Sequence, residues 1–591
     1  MADLMTDKNG RLAILQTEAQ ASHYQRNRRE PDDIVIPIGP EAMYFAEQNG
    51  WAMSRLGDCW TKEAYERART ESQARLDALI ESLNDYSRRW SPTLGLEIGN
   101  YYAFQLWVII GQVHYNYFIV HSIADNFRPA KLLCYTKAES EAFMELRPDP
   151  DCIFADVLRS SGLFKVEQIE IHCIDEKRQA NTLREKILEA LPISVRAWLR
   201  EIRDRRLFSN SGSPARDLLV IGGGGDWIRL NGYQAFNELF RLHNAPKLVA
   251  GGRVTPTSEL IGILKNAVQF DSSIPYDLKD LGTAIQTDLN LFAEKARDII
   301  SSMKQYDAVV TAVLTFPRDN FLAHMAAVAG RPVMVWQHGE MGQTGFDPLS
   351  LYTELFYATD YLAYAPMVQE LYRPWIGRYR LANVEAVGSA DKKIDWRGGN
   401  KIVYATGKWL KTAVGFLPKS DPDGRLYTAH RTILDYLEGV SLERPVVFKA
   451  NNTPGLNAIP YQYRNIHIDY STPFTTLLET AGVVILDTPA TTLVEACTTK
   501  VPIFVLGGRC EYTAEFLDVV KRRVIWCETP EDLVAQLSAY LSSGRYEADV
   551  SDDTYLKQYC AHAGADKVVA DVRNAVFSGI RRSNGTTSAI N

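Results

Sequence analysis

Ala308-Val-Val-Thr-Ala-Val-Leu314, a helical stretch over residues 320–329 and Pro332-Val-Met-Val-Trp336 follow one another along the chain. Two short apolar runs separated by one helix make a parallel strand–helix–strand unit, whose strands are apolar throughout because helices cover both faces of the sheet. The alternation extends upstream, with Asp217-Leu-Leu-Val-Ile221 as a strand, Gly222 to Gly225 as a turn, residues 233–242 as a helix, Lys247-Leu-Val-Ala250 as a strand and residues 281–303 as a helix. A second series follows, with strands at Val384-Glu-Ala-Val387, Lys401-Ile-Val-Tyr-Ala405, Pro445-Val-Val-Phe448, Val483-Val-Ile-Leu486 and Pro502-Ile-Phe-Val-Leu506 and helices over residues 427–437, 474–481 and 491–498. Two such series predict an α/β protein of two Rossmann-like doubly wound domains facing each other across a cleft.

The expected boundary lies between residues 375 and 400, where Gly388, Gly398, Gly399 and several charges interrupt the pattern. The first domain then spans residues 31–380 with helical insertions, and the second spans 381–545. Residues 1–30 are polar and read as irregular, and the fold is expected to begin at the strand Asp33-Ile-Val-Ile-Pro-Ile-Gly39. A charged helix over 61–89 and an apolar one over 101–125 precede strands at 130–135 and 166–172, and a helical stretch over 175–208 turns basic toward its end. Terminal helices are expected within 546–580, and residues 581–591 read as a disordered tail.

Composition narrows the function. The 591 residues suffice for about three to five domains, or two large ones. A hydrophobic share of 46% with 38 Gly and 26 Pro is that of an ordinary globular protein. With 65 Lys+Arg against 72 Asp+Glu the net charge is −7, which gives no basic footprint for nucleic acid, so an anionic ligand must be held locally. None of the eight cysteines forms a Cys-x-x-Cys pair, which speaks against zinc and dithiol chemistry. The N-terminus lacks the basic and apolar regions of an export signal, so a cytoplasmic location is expected. The uncharged stretch 98–124 is long enough for a membrane span, but Asn100, Gln105, Gln112, His114, Asn116 and His121 interrupt it. A buried helix is therefore expected there.

In doubly wound sheets ligands bind beyond the carboxyl ends of the strands, and four strand ends carry chemistry. Trp336-Gln-His-Gly-Glu-Met-Gly342 offers His338 as a proton-transfer group near neutral pH and Glu340 as an acid, base or orienter, with glycines that admit a substrate closely. Leu486-Asp-Thr-Pro-Ala-Thr-Thr-Leu-Val-Glu-Ala496 ends a strand and opens a helix at Thr491 and Thr492, whose N–H groups and hydroxyls suit a phosphate, while Glu495 can accept from ribose hydroxyls. Lys449, just past a strand, could neutralise a phosphate leaving group. Finally, Ile221-Gly-Gly-Gly-Gly-Asp226 places an acid/base or acceptor-binding carboxylate, Asp226, after a glycine turn that lacks dinucleotide or P-loop spacing.

These residues resemble a family. Two Rossmann-like domains, a strand-terminal Gln-His-Gly and a Lys followed by Thr-Pro-x-Thr-Thr-Leu-x-Glu-Ala are similar to GT-B glycosyltransferases of bacterial surface-polysaccharide assembly. The Gln-His-Gly loop and the Asp-Thr-Pro-Ala-Thr-Thr motif look most like enzymes of capsule and O-antigen synthesis, including Kdo transferases and the glycerophosphotransferases of teichoic acid synthesis. The Tyr101-Tyr102 segment also resembles the amino-terminal part of O-antigen transferases, and the likeness covers roughly residues 90–520. It implies a nucleotide-sugar donor, such as the CMP form of the ulosonic acid Kdo, held by Lys449, Thr491, Thr492 and Glu495. Acceptor chemistry would fall to His338, Glu340 and Asp226, the acceptor being a glycan or lipid-linked glycan.

No resident cofactor and no metal is expected, since the Asp-x-Asp sequences Asp149-Pro-Asp151 and Asp421-Pro-Asp423 read as proline-containing loops away from these strand ends. No nucleophilic carboxylate is evident apart from Asp319, so inverting and retaining chemistry both stay open. Arg196, Arg200, Arg203, Arg205 and Arg206, interleaved with apolar residues, would suit peripheral association with the inner face of the cytoplasmic membrane. A sugar-nucleotide 2-epimerase and a non-catalytic scaffold of a polysaccharide assembly complex are the competing readings of this architecture.

Overall fold

Short apolar runs fold into parallel strands that assort into three main sheets. The computed structural model describes residues 10–136, 150–174, 216–222, 240–268, 278–337, 348–390, 394–407, 409, 416, 422–450, 459–508, 511–560, 562–563 and 565–587. The first sheet has four strands, β1 (Arg11–Leu15), β2 (Ile34–Pro37), β3 (Lys131–Thr136) and β4 (Ile169–Cys173), in the order β2-β1-β3-β4. The second has six, β5 (Asp217–Val220), β6 (Arg241–Asn244), β7 (Ala308–Thr311), β8 (Val333–Trp336), β9 (Asp360–Ala363) and β10 (Asn383–Ala386), in the order β10-β9-β8-β7-β5-β6. After the short β11 (Ser389–Ala390) comes the third, with β12 (Lys401–Ala405), β13 (Val446–Lys449), β14 (Ile466–Asp469), β15 (Ala481–Leu486), β16 (Ile503–Leu506) and β17 (Ile525–Cys527) in the order β14-β13-β12-β15-β16-β17. A last short strand, β18 (His562–Ala563), pairs with β11. The two doubly wound sheets expected from the sequence are both present.

Several local expectations are corrected. Residues 11–15 form a central strand of the first sheet and so are not irregular; Arg11, which makes the segment look polar, is ion-paired at 2.7 Å to Asp33, while Leu12 to Leu15 are buried. Residues 241–244, read as a helix end, form the edge strand β6, and the apolar run 247–250 is not a strand, Val249 standing 75% exposed. An edge strand is half-wet, so its alternation is too weak to read. The run at Val384 closes the second sheet against β9 and does not open the third. β9 and β14 carry no signal used above, each having an Asp within its span. The final helix continues past Arg581 to Thr587 where a tail was expected, because Arg582 pairs with the buried Asp360.

The helices that matter for function are α1 (Glu18–Asn27), α2 (Pro40–Gln48), α3 (Lys62–Trp90), α4 (Ile98–Phe127), α5 (Pro150–Ser160), α6 (Pro317–Val328), α7 (Pro422–Val440), α8 (Thr491–Cys497) and α9 (Ala565–Thr587). The apolar stretch forms α4, buried along most of its length, and within it His114 lies between Ser72 Oγ at 2.8 Å and the Ala267 carbonyl at 2.7 Å. Gly99 lets α4 cross α3, since a Cβ there would sit 2.0 Å from the Ile80 carbonyl oxygen. Among the described residues no helix is long and apolar enough to cross a membrane. The basic segment 196–208 lies outside the described residues.

After the third sheet, α9 returns to the second. Val568, Val572, Ala575, Val576 and Ile580 pack on Leu218, Val220, Val310, Met334, Trp336 and Leu362, closing a face that a parallel sheet must keep dry. The third sheet also meets the first, where Glu47 of α2 accepts from Tyr427 and pairs at 3.2 Å with Arg431 of α7. Because Val576 is fully buried in the α9 face, Val576→Asp leaves an uncompensated charge there and is expected to cost about 3–5 kcal/mol. A urea midpoint unchanged by this substitution would mean that α9 is not integral to the second sheet.

Candidate active site

Strand order fixes where each sheet can bind. In the second sheet the chain runs outward one way from β5 to β6 and the other way from β7 to β10, so the reversal lies between β5 and β7. In the third it lies between β12 and β15. Crevices of this kind open at the carboxyl ends of the strands that flank the reversal.

At the third sheet's reversal, Ala405 is in register with Leu486 on one side and with Lys449 on the other. Thr406 and Asp487 therefore emerge together. The Asp487 carboxylate accepts from the Gly407 N–H at 2.8 Å and the Thr488 hydroxyl at 3.1 Å. It also lies 3.0 Å from Nε2 of His430, which is itself 2.7 Å from the Thr406 hydroxyl. His430 projects from α7, is fully buried, lies 3.2 Å from the Tyr461 hydroxyl and meets the Trp409 ring edge-on at 5.1 Å. Burial alone would raise the Asp487 carboxyl, but the hydrogen bond and charge of His430, with Thr406 and Gly407, hold it below its ordinary value. This cluster joins α7 to the strand ends. The sequence motif contained Asp487 but gave it no role, and His430 was overlooked because a histidine on an apolar helical face, in step with Leu426, Ile433 and Leu437, looks like core.

Lys449 lies two strands from the β15 end, so its backbone is about 10 Å from that of Leu486. Its ammonium faces the Asp469 carboxylate at 3.7 Å, and burial pulls its proton affinity down against that charge. Burial would raise Asp469, but hydrogen bonds from Thr472 and Ser471, aided by Lys449, keep it below its usual range. Thr491 and Thr492 open α8 behind Ala490, which provides no side-chain cap. Helical spacing puts Thr491, Thr492 and Glu495 on one face, with Thr491 exposed and the other two half-buried. Thus the structure brings Lys449 and the 487–495 segment to one rim. Of the Asp-x-Asp sequences, Pro150 and Asp151 belong to α5 and Pro422 and Asp423 to α7, while Asp149 and Asp421 lie outside the described residues. Among the described residues no group of three or more His, Cys, Asp or Glu side chains is placed to hold a metal.

At the second sheet's reversal, β5 is followed by Gly222, whose φ of +57° favours glycine. A Cβ there would lie 2.4 Å from the Val313 carbonyl oxygen, 3.1 Å from Thr311 Oγ1 and 3.4 Å from Asp319 Oδ2. Asp319, in the first turn of α6, is half-buried against this glycine. Burial pushes its carboxyl up to about 6 despite a hydrogen bond from Gly222. Gln337 of the Gln-His-Gly run is buried and structural, its N–H donating to the Leu362 carbonyl at 3.0 Å and its Oε1 accepting from the Tyr364 N–H at 2.7 Å. His338, Glu340 and Asp226 lie outside the described residues, and only the strand ends that lead to them are described.

No family model and no curated protein matches the chain. It is similar to the solved structure of Anabaena HepE in complex with UDP and glucose, at 10% identity over 61% of this chain and 99% of that one, with a TM-score of 0.35. It is also similar to the spinosyn forosaminyltransferase SpnP, at 13% identity over 62% and 100% with a TM-score of 0.35. A glycosyltransferase from Rickettsia africae aligns at 10% identity over 65% and 99% with a TM-score of 0.32.

The Asp487 cluster yields a pH signature. Its carboxyl is depressed in the fold, so the stability it confers is present above the unfolded value of 3.8 and is lost as pH falls through the lower folded value. Asp487→Asn should therefore cost about 2 kcal/mol near pH 7 and progressively less in acid. Denaturant midpoints across that range test this, and a cost that grows toward acid contradicts it.

Proposed function

We propose that the chain is a glycosyltransferase of GT-B type that takes its sugar from a nucleotide-activated donor. The observation that carries this reading is that both strand-order reversals are furnished. The third sheet's rim brings together Lys449 and the start of α8, beside the Thr406–His430–Asp487 cluster, and the second sheet's rim holds a desolvated carboxyl beside a glycine.

In this reading the donor phosphate lies against Thr491, Thr492 and the Lys449 ammonium, and Glu495 accepts from the ribose. Departure of the nucleotide builds negative charge on that phosphate, which fixed N–H groups and a cation offset without reorganisation. Transfer is proposed to need no divalent metal for that reason. His338, Glu340 and Asp226 follow β8 and β5 in sequence and are assigned to the acceptor side. The resemblance of the Gln-His-Gly and Asp-Thr-Pro-Ala-Thr-Thr motifs supports a bacterial surface glycan, free or lipid-linked, as acceptor and a ulosonic acid such as Kdo, carried on CMP, as the sugar. Work at the inner face of the cytoplasmic membrane goes with such an acceptor.

Thermal shift with CMP, CDP, UDP and GDP is the first test. A ligand that binds the folded chain at 100 times its Kd stabilises by about 2.7 kcal/mol, whereas a non-catalytic scaffold responds to none of them. His338→Ala is expected to lower turnover by about 10² or more with nucleotide affinity nearly unchanged. Lys449→Ala and Glu495→Ala should chiefly weaken nucleotide binding. Turnover should also survive EDTA; loss on chelation with rescue by Mg²⁺ or Mn²⁺ would show the phosphate site to be incomplete.

A further inference from the structure

The second sheet's reversal holds a carboxyl with an unusual setting. Asp319 lies where β5 and β7 part, with its carboxylate beside Gly222, where a Cβ would come within 3.4 Å of Asp319 Oδ2 and would clash at 2.4 Å with the Val313 carbonyl oxygen. The charges nearest along the chain are spoken for. Arg318 turns away, donating to the Leu248 carbonyl at 2.8 Å and pairing with Asp288 at 3.3 Å, and Asp288 in turn accepts from Tyr102 at 2.8 Å. His324, further along α6, is held between Tyr101 at 2.6 Å and Arg380 at 2.8 Å. Asp319 accepts a hydrogen bond from the Gly222 backbone, and no described cation pairs with it. A carboxylate arranged for stability is normally paired or well solvated; this one is neither.

We infer that Asp319 is the general base of the transfer, a role that rests on the glycosyltransferase reading above. The proton of the acceptor hydroxyl passes to an Asp319 oxygen as the acceptor oxygen bonds to the anomeric carbon of the sugar. The bond from that carbon to the donor phosphate oxygen breaks, and its electron pair leaves with the nucleotide. Asp319 then returns its proton to solvent. Gly222 orients the carboxyl through its N–H. His338, Glu340 and Asp226 are left to bind and orient the acceptor, so the loss of turnover expected for His338→Ala comes from a misplaced acceptor hydroxyl and not from a lost base. One displacement with one base inverts the anomeric configuration.

The unaltered chain, with whichever nucleotide sugar supports turnover, should show kcat/KM falling about tenfold per pH unit below about 6 and level above it. Asp319→Asn should lose 10²- to 10⁴-fold in kcat, abolish that acidic limb and keep the nucleotide-induced thermal shift. His338→Ala should keep the limb. A readout without turnover accompanies these. A raised carboxyl stabilises the fold fully below its unfolded value of 3.8, and that contribution is lost as pH rises through about 6, so Asp319→Asn should raise Tm relative to the unaltered chain above pH 6 and not at pH 4. The inference falls if Asp319→Asn turns over within a few-fold of the unaltered chain, if His338→Ala and not Asp319→Asn removes the limb, or if the product retains the donor's anomeric configuration. An unaltered chain with neither nucleotide-induced shift nor turnover overturns the glycosyltransferase reading itself, and this inference with it.

Discussion

A parallel sheet has no face that it can leave to water, and this constraint organises the chain. The second sheet is assembled from strands between Asp217 and Ala386, yet its dry face is completed by Val568, Val572 and Val576 from α9, at the far end of the sequence. The third sheet is threaded in between. Its connection back is therefore not a loose tail but a structural requirement of the preceding sheet, and the short β11–β18 pair marks where outgoing and returning segments run side by side. Asp360, buried at the start of β9, is held by Arg582 of the same helix α9 and accepts from the Thr359 hydroxyl at 2.8 Å.

Strand order then decides which side chains meet. Each six-stranded sheet reverses once, and each reversal holds one aspartate at a strand end or in the helix turn that follows. The two are pushed in opposite directions. Asp487 is surrounded by His430, Thr406, Gly407 and Thr488, so its charge is welcome and the group is fixed in one state. Asp319 has a single backbone donor and loses more from desolvation than it regains, so its proton affinity rises into the range where it can exchange protons. Two residues of one type thus divide into a structural clasp and a reactive carboxyl through their surroundings alone.

Central strands such as Ala308–Thr311 and Ile503–Leu506, apolar on both faces, were legible in the sequence because burial leaves one composition available. Edge and mixed strands were not: β6 reads Arg-Leu-His-Asn, and β1 begins with an arginine whose carboxylate partner is 22 residues away. Lys449, Thr491, Thr492 and Glu495 could be placed on one rim in advance, since strand ends and helix starts are local features. His430 could not, because its role depends on α7 crossing the ends of β12 and β15, a long-range fact with no local signature. Asp319 had the same handicap: an Asp in the first turn of a helix is ordinary, and only its position beside Gly222 distinguishes it.

The attachments of the third sheet differ in kind. Its core buries Met43 of the first sheet's helix α2, and the Tyr44 and Tyr461 rings meet edge-on at 5.7 Å. Its ion pairs with α2 and with α3 are instead partly wet: Arg431 with Glu47, whose side chains are 20% and 36% exposed, and Lys62 with Glu511, which are 65% and 56% exposed. Exposed pairs of this kind contribute between about zero and 1 kcal/mol, enough to favour an orientation but not to enforce it. By contrast α9 is fastened to the second sheet by fully buried aliphatic side chains. The wet ion pairs thus add little to a joint between the first and third sheets that Met43 and Tyr44, set against α7 and Tyr461, fasten through buried apolar and aromatic surface.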